Sequence, residues 1–301
     1  MKLVISASPH IDSGATTRKI MGDVLIALCP ALIAAVIIFG WRALLVTAVC
    51  AAACVFFEWG FEKLCQKPST IGDLSAVVTG VILAYNLPVS IPLWQAVFGC
   101  LVAIVAVKQL FGGIGKNFAN PALVGRIVLF LSFSKTMTAW VFPDAVSSAT
   151  PLAQLAAGQK PELWTLLLGN HGGCIGETCA LALLLGGAYL LLRGVITWQT
   201  PVCFVGTVFV LSLILGQDAV RQILSGGLLL GAFFMATDYV TAPQTCWGRA
   251  LFGIGAGLLT CLIRFYGSYA EGVSFAILFM NILTPYLSKW TRSKPLGGVP
   301  A

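Results

Sequence analysis

Charged residues make up only 10% of this 301-residue chain, and histidine occurs twice. A soluble globular domain carries about 25% charged residues, so a chain of this size with so little charge could not cover its surface in water. No G-x-G-x-x-G stands between a strand pattern and a helix pattern, which excludes a dinucleotide-binding unit of the usual kind. The ten cysteines do not add up to a cluster site. Cys29, Cys50, Cys54, Cys100, Cys203 and Cys261 lie inside apolar runs, where cysteine acts as a small hydrophobe, and Cys174-x4-Cys179 alone lacks the four ligands of an iron–sulfur cluster. The first 23 residues contain no apolar core of secretory-signal length, so the N-terminus is expected to stay cytoplasmic.

What the chain does have is apolar sequence: 58% of it is hydrophobic, with 32 glycines. Crossing a hydrocarbon core takes about 20 apolar residues per helix, which leaves room for about ten spans. Apolar runs lie at 22–40, 43–61, 72–87, 93–110 and 118–133, then at 177–193, 200–216, 221–237, 248–264 and 272–290. The expectation is an all-α polytopic membrane protein of ten transmembrane helices. Its parts are a cytoplasmic segment (1–21), a first five-helix repeat (22–133), a connection (134–176), a second five-helix repeat (177–290) and a cytoplasmic tail (291–301). An odd number of spans per half forces two such repeats into opposite orientations. In each half the third run is short and enters a polar, Pro-bearing turn, Tyr85-Asn86-Leu87-Pro88 and Thr237-Asp238-Tyr239 with Pro243. Such interruptions at matching places point to broken third helices around a midplane site.

The net charge of +7 would suggest nucleic acid in a soluble protein. Here it is read as orientation in the membrane. With the N-terminus inside, 13 of the 18 Lys and Arg residues fall on the cytoplasmic side, leaving Arg42, Lys135, Lys160, Arg221 and Arg264 outside. The positive-inside rule then places both termini in the cytoplasm and the 134–176 connection outside.

That outer connection contains Asp144-Ala145-Val146-Ser147-Ser148-Ala149-Thr150-Pro151-Leu152. The pattern D-x-x-S-[GS]-A-T resembles the signature at which an extracytoplasmic flavin transferase moves FMN from FAD onto a threonine hydroxyl, leaving a phosphodiester. Such chemistry asks for a hydroxyl nucleophile, small neighbours and a following proline that keeps the preceding residue extended. Thr150 meets all three, and Asp144, Ser147, Ser148 and Ala149 form the recognition segment; Ser148 stands where the usual signature has glycine. A decoy, Ser13-Gly14-Ala15-Thr16, has His10 in place of the aspartate and lies on the cytoplasmic side.

The whole chain resembles the D-subunit family of the Rnf electron-transport complex, whose members are related to a membrane subunit of the sodium-pumping NADH:quinone reductase. The resemblance runs through SPHIDSGATTRKIMGDV, TGVILAYNLP, KQLFGGIGKNFANPALVGR, DAVSSATPL, GNHGGCIGETCALALLLGG, FFMATDYVTAP and YAEGVSFAILFMNILTP. Where the family usually shows N-P-F-N-P-A, this chain has Asn117-Phe118-Ala119-Asn120-Pro121-Ala122. The resemblance implies a component of an ion-translocating ferredoxin:NAD oxidoreductase in the bacterial inner membrane, with FMN on Thr150 and, in some relatives, noncovalent riboflavin. The implied partners are ferredoxin-binding and NADH-binding iron–sulfur or flavin subunits, two small membrane subunits, a second covalent-FMN subunit and the flavin transferase, with no nucleic acid.

By the topology, the isoalloxazine is expected at the outer mouth of the bundle, near Asn86, Tyr269, Glu271 and Gly272. Asn120 and Asp238 lie beside broken runs near the cytoplasmic side and are candidates for ion entry or a second flavin, since intramembrane polar groups are costly. Glu58 and Arg126 are read as snorkelling or paired with a neighbour. No metal site is expected. Sodium and proton coupling leave no distinguishing side-chain pattern here, because backbone carbonyls can serve as ligands. Two other functions are open: a urea-type solute channel without flavin, and an assembly scaffold whose helices only hold partners.

Overall fold

The computed structural model describes residues 15–140, 150–267 and 272–292, and within them the chain is helical with no strand. Each of the ten apolar runs carries helix. The first half contains α1 (Thr17–Phe39), α2 (Trp41–Leu64), α3 (Ser75–Tyr85), α4 (Leu93–Leu101, continued by π-helical turns over Val102–Gln109) and α5 (Pro121–Ser132). Short helices α6 (Ser134–Met137), α7 (Pro151–Ala156) and α8 (Leu163–Leu168) occupy the connection. The second half contains α9 (Ala180–Leu192), α10 (Gln199–Ile214), α11 (Ala219–Leu224), α12 (Leu228–Leu230, continued by π-helical turns over Gly231–Met235), α13 (Cys246–Tyr266) and α14 (Val273–Trp290). Among the described residues α1, α2 and α13 are long and apolar enough to cross a membrane.

Local chemistry sets the boundaries. Thr16 caps α1, its Oγ1 accepting from Lys19 N at 3.3 Å. At Gly40 a φ of 76° ends α1, and α2 begins at the next residue, a reversal that glycine makes without steric cost. The third runs are interrupted in both halves. Helix α3 has 11 residues, about 16 Å of rise and half a hydrocarbon core, and stops at Tyr85 before Leu87-Pro88. The eighth run is divided among α11, α12 and the π-helical turns, with Gly226 at φ +67° between the first two.

The packing repeats from half to half. Helix α2 lies against α3 and α4, α4 against α5, and α5 against α3. Likewise α10 lies against α13 and the Gly231–Met235 turns, α13 against α14, and α14 against the same turns. Across the halves α1 meets α9 and α5 meets α14. Glycines permit the close approaches: a methyl at Gly186 would stand 2.2 Å from Ala27 O, and one at Gly80 would stand 2.7 Å from the Cα of Ala51. Small residues at interfaces serve the same purpose in membrane bundles generally.

One segment departs from expectation. The polar Gly-rich stretch before the sixth run reads as an outer loop with helix from 177, yet helix begins at Ala180 and residues 171–178 are all buried. Its backbone bonds to the broken end of α3, Ile175 N to Leu87 O at 3.0 Å and Gly176 N to Tyr85 O at 2.9 Å. Carbonyls released by the break in α3 are thereby satisfied from a distant part of the chain.

Candidate functional site

A pocket among the described residues lies between the two halves. Its walls come from α1 (Met21, Val24), α3 (Ser75, Val78, Thr79, Ile82), the loop and start of α5 (Asn117, Asn120), α9 (Leu190) and the segment after α12 (Phe233, Phe234, Thr237, Asp238, Tyr239). Asn120 and Asp238, each a candidate from its own broken run, therefore meet in one cavity. Asn120 caps α5, Oδ1 accepting from Ala122 N at 3.1 Å, while its Nδ2 donates to Met235 O at 3.3 Å. Asp238 organises the turn after the π-helical segment, accepting from Val240 N at 3.4 Å and from Thr241 Oγ1 at 3.1 Å. Each residue thus has a structural role and a face on the cavity. A smaller pocket shares Thr237, Asp238 and Tyr239 and adds Thr197, Thr200 and Arg249.

Lys108 also lines the pocket between the halves, where the sequence offers it only as a cytoplasmic charge. Its Nζ donates to Glu58 Oε1 at 2.6 Å and to Ser75 Oγ at 2.6 Å. Glu58 accepts from Gln109 Nε2 at 2.8 Å as well, so consecutive residues of the π-helical turns reach one carboxylate. Glu58 is therefore paired inside the bundle rather than snorkelling, with side-chain exposures of 4% for Lys108 and 0% for Glu58. One turn on, Glu62 is buried and accepts from Thr70 N at 3.0 Å. The signal available in the sequence is one acid in the second run and one base in the fourth, in helices that pack together.

A second polar group sits at the junction of the breaks. Arg126 Nη1 donates to Asn86 Oδ1 at 3.1 Å and to Ser274 Oγ at 2.5 Å, and Nη2 reaches Cys174 Sγ at 3.8 Å. Asn86, expected at an outer mouth, has no exposed surface. Its Nδ2 donates to Ile82 O at 2.7 Å and contacts Met235 Sδ at 3.4 Å, which fixes it inside, between the two broken segments. Gly272 precedes α14, where a methyl would stand 2.8 Å from Ile263 Cβ. Tyr269 and Glu271 lie outside the described residues, as do Asp144, Ser147, Ser148 and Ala149.

Thr150 is described, and it caps α7: φ is −60°, ψ is 154°, and Oγ1 accepts from Ala153 N at 3.3 Å, with Pro151 following. Thr16, the decoy, caps α1 with the same donor distance. Local geometry does not separate the two threonines. Leu152 of α7 approaches Gly226, where a methyl would stand 2.6 Å from its Cδ1, so the candidate threonine and the broken eighth run occupy the same end of the molecule. Cysteines behave as small apolar groups: Cys50, Cys54 and Cys100 are buried together, Cys100 Sγ meeting Cys50 O at 3.5 Å. Cys174 and Cys179 lie in the buried Gly-rich segment and at its end, without a disulfide among the described residues.

Comparison with known proteins bears on what this arrangement serves. The chain is 46% identical over 305 residues to the D subunit of the Na(+)-translocating ferredoxin:NAD(+) oxidoreductase complex of Acetobacterium woodii, covering 99% of this chain and 96% of the relative. It is 41% identical to the D subunit of the proton-translocating ferredoxin:NAD(+) oxidoreductase complex of Clostridium ljungdahlii, covering 97% and 96%. It is 34% identical to the D subunit of the ion-translocating oxidoreductase complex of Actinobacillus succinogenes, covering 97% of each. Residues 4–297 match the NQR2, RnfD, RnfE family, and with end-to-end coverage of both chains the protein belongs to that family.

Proposed function

We propose that this chain is the D subunit of an ion-translocating ferredoxin:NAD oxidoreductase complex of the bacterial inner membrane, carrying electrons on flavin between partner subunits. The observation that carries the reading is near-complete coverage at 46% identity with a relative so named. Ten spans in two inverted five-helix repeats fit the matched packing of α2 with α3 and α4 against that of α10 with α13 and the Gly231–Met235 turns. Contacts of α1 with α9 and of α5 with α14 join corresponding helices, as a two-fold pseudo-axis requires. Both termini then lie in the cytoplasm and Thr150 outside.

FMN is held as a phosphodiester on Thr150, after recognition of Asp144 through Ala149 by a flavin transferase. Thr150 Oγ1 attacks the FMN-side phosphorus of FAD, the diphosphate bond breaks, AMP departs and the hydroxyl proton passes to base. A second, noncovalent flavin such as riboflavin suits the chemistry of the pocket between the halves: apolar walls from Val78, Ile82 and Phe234 match a flat ring, and Asn120, Asp238 and Thr237 offer polar edges. Bound flavin supplies the one- and two-electron chemistry, and the protein sets position, burial and hydrogen bonding. Ferredoxin-side and NAD-side centres, two small membrane subunits and a second FMN subunit complete the complex.

The test is in-gel flavin fluorescence of the denatured chain, wild type beside Thr150→Ala, with and without the transferase. Fluorescence requiring both the transferase and Thr150 is the expected result. A dark wild type beside an active transferase favours the urea-type channel. Undiminished ferredoxin-dependent NAD reduction in a Thr150→Ala complex favours the scaffold.

A further inference from the structure

We propose that the loop between the π-helical turns after α4 and the start of α5 is the docking seat of a water-soluble protein subunit, one that presents an acidic rim around a small apolar centre; this rests on the reading above that the chain works inside a multi-subunit complex. The loop, residues 110–120, is apolar yet exposed: Phe111 is 51% exposed, Phe118 45% and Ile114 37%. The rings of Phe111 and Phe118 pack together with their centroids 4.9 Å apart. The backbone is fastened to the end of the π-helical turns, Gly113 N donating to Lys108 O at 2.9 Å and Gly112 N to Gln109 O at 3.2 Å, and it closes on itself through Lys116 N to Gly113 O at 3.3 Å. A methyl at Gly112 would stand 2.8 Å from Lys116 Cδ, so the stem of that lysine lies across the loop. The exposed rings therefore belong to a formed surface with a cation beside them.

Charge on the cytoplasmic side of the proposed topology selects the partner. Lys63, Lys67 and Lys116 are exposed, as are Arg18 and Lys19 at the start of α1. Lys67 Nζ donates to Gln109 O at 3.4 Å, which brings one of these charges to the foot of the loop. The described acids of the same side are engaged within the chain: Asp23 meets Arg193 and Tyr189, Glu58 meets Lys108, Glu62 accepts from Thr70 N, Asp73 from Ser75 N and Asp238 from Val240 N. None of those five is exposed. An exposed apolar patch with a polar rim marks an interaction site, and here the rim has a single sign, which an acidic partner complements and a basic one does not. Position favours a protein over lipid. Ile114 and Asn117 line the pocket between the halves together with Met21 of α1, Ile196 and the exposed Tyr239. The loop therefore stands at the mouth of that pocket, where separate parts of the chain converge on the end of the bundle. Acyl chains cover the perimeter of a bundle, whereas a folded protein can cover its end and close the pocket from the cytoplasm.

The experiment uses the whole complex, purified in maltoside detergent through a tag on this chain, with Phe118 replaced by the photocrosslinking analogue benzoylphenylalanine. Illumination is expected to join the chain to a subunit that has no membrane-spanning helix, identified by mass spectrometry of the adduct. Adding Lys67→Glu and Lys116→Glu is expected to lower the yield of that adduct at least about tenfold at about 0.05 M salt, and raising the salt to about 0.5 M is expected to lower it in the protein without those changes. Adding Phe111→Ser, which alters no charge, is expected to lower the yield at both salt concentrations. An adduct to lipid, an adduct to a membrane-spanning subunit or no adduct overturns the assignment, and so does a yield that charge reversal and salt leave unchanged; a yield unmoved by Phe111→Ser overturns the apolar centre. Should the charge reversal not accumulate, Lys67→Gln with Lys116→Gln is measured in its place, with a smaller loss in the same direction expected and an unchanged yield again overturning the proposal. A wild-type chain that purifies with no other subunit removes the parent reading instead, and this proposal with it.

Discussion

Replacing Lys108 by methionine leaves Glu58 as a charged group with no surface exposure, held only by amide and hydroxyl donors. The ammonium stands 2.6 Å from Glu58 Oε1, and at an effective dielectric of about 20 that separation is worth about 6 kcal/mol of attraction. Desolvation of both ions offsets much of this, so the pair's net worth is small; removing one partner is another matter, costing about 3–5 kcal/mol because the other charge stays buried. Gln109 Nε2 at 2.8 Å and Thr70 Oγ1 at 3.3 Å still reach Glu58, which places the expected loss toward the lower figure. The double variant Glu58→Gln with Lys108→Met removes both charges and is expected to recover part of the loss, a coupling of about 1–3 kcal/mol for groups in direct contact. Thermal unfolding of the detergent-solubilised chain can be followed with a thiol-reactive dye, because Cys50, Cys54 and Cys100 are buried and become reactive on opening. Lys108→Met should lower the midpoint by on the order of 5 °C. A single variant that melts with the wild type, or single and double variants whose effects simply add, would refute the reasoning.

Gly186→Val is expected to abolish stable assembly, since a side chain there meets Ala27 O at 2.2 Å and overpacking of a helix contact cannot be relieved locally. Gly206→Val, with nothing within 4 Å, serves as the control and should accumulate normally; equal yields of the two proteins would contradict the α1–α9 packing. Asn120→Leu and Asp238→Leu should each reduce acid-extractable flavin while leaving covalent fluorescence unchanged, and undiminished extractable flavin would remove the pocket between the halves as the noncovalent site. Cys65 and Cys246 are exposed and fall on the cytoplasmic side of the proposed topology. An impermeant maleimide should label them in inverted vesicles and not in intact cells, and labelling of intact cells would reverse the orientation.

Much of the helix layout is legible in the sequence because apolar length and Pro or Gly punctuation act locally. The break after Tyr85 follows from Asn86-Leu87-Pro88, and the interruption of the eighth run follows from its matching place in the second half. Burial of the Gly-rich segment is not legible. Glycine, asparagine and histidine together read as a solvated loop, and only the carbonyls of Tyr85 and Leu87, freed by a break nearly 90 residues earlier in the chain, explain why Ile175 and Gly176 go inside. Asn86 misleads for a related reason: a polar residue at a helix end suggests a mouth, whereas Arg126 and Met235 arrive from other helices to enclose it. Lys108 reads as one charge in a topology count, and a pair across two helices is invisible until those helices are set side by side. Thr16 and Thr150 show the converse. Their capping geometry is alike, so the distinction between them comes from Asp144 and from the side of the membrane, both of which are statements about sequence.

The most direct test of covalent flavin attachment is peptide mapping by mass spectrometry of the chain purified from cells with an active flavin transferase. The expected result is one FMN, less the elements of water, on the peptide containing Thr150, with the Thr16 peptide unmodified. An unmodified Thr150 peptide, or FMN found on Thr16, would contradict the proposal that this chain carries its flavin at the outer end of the bundle.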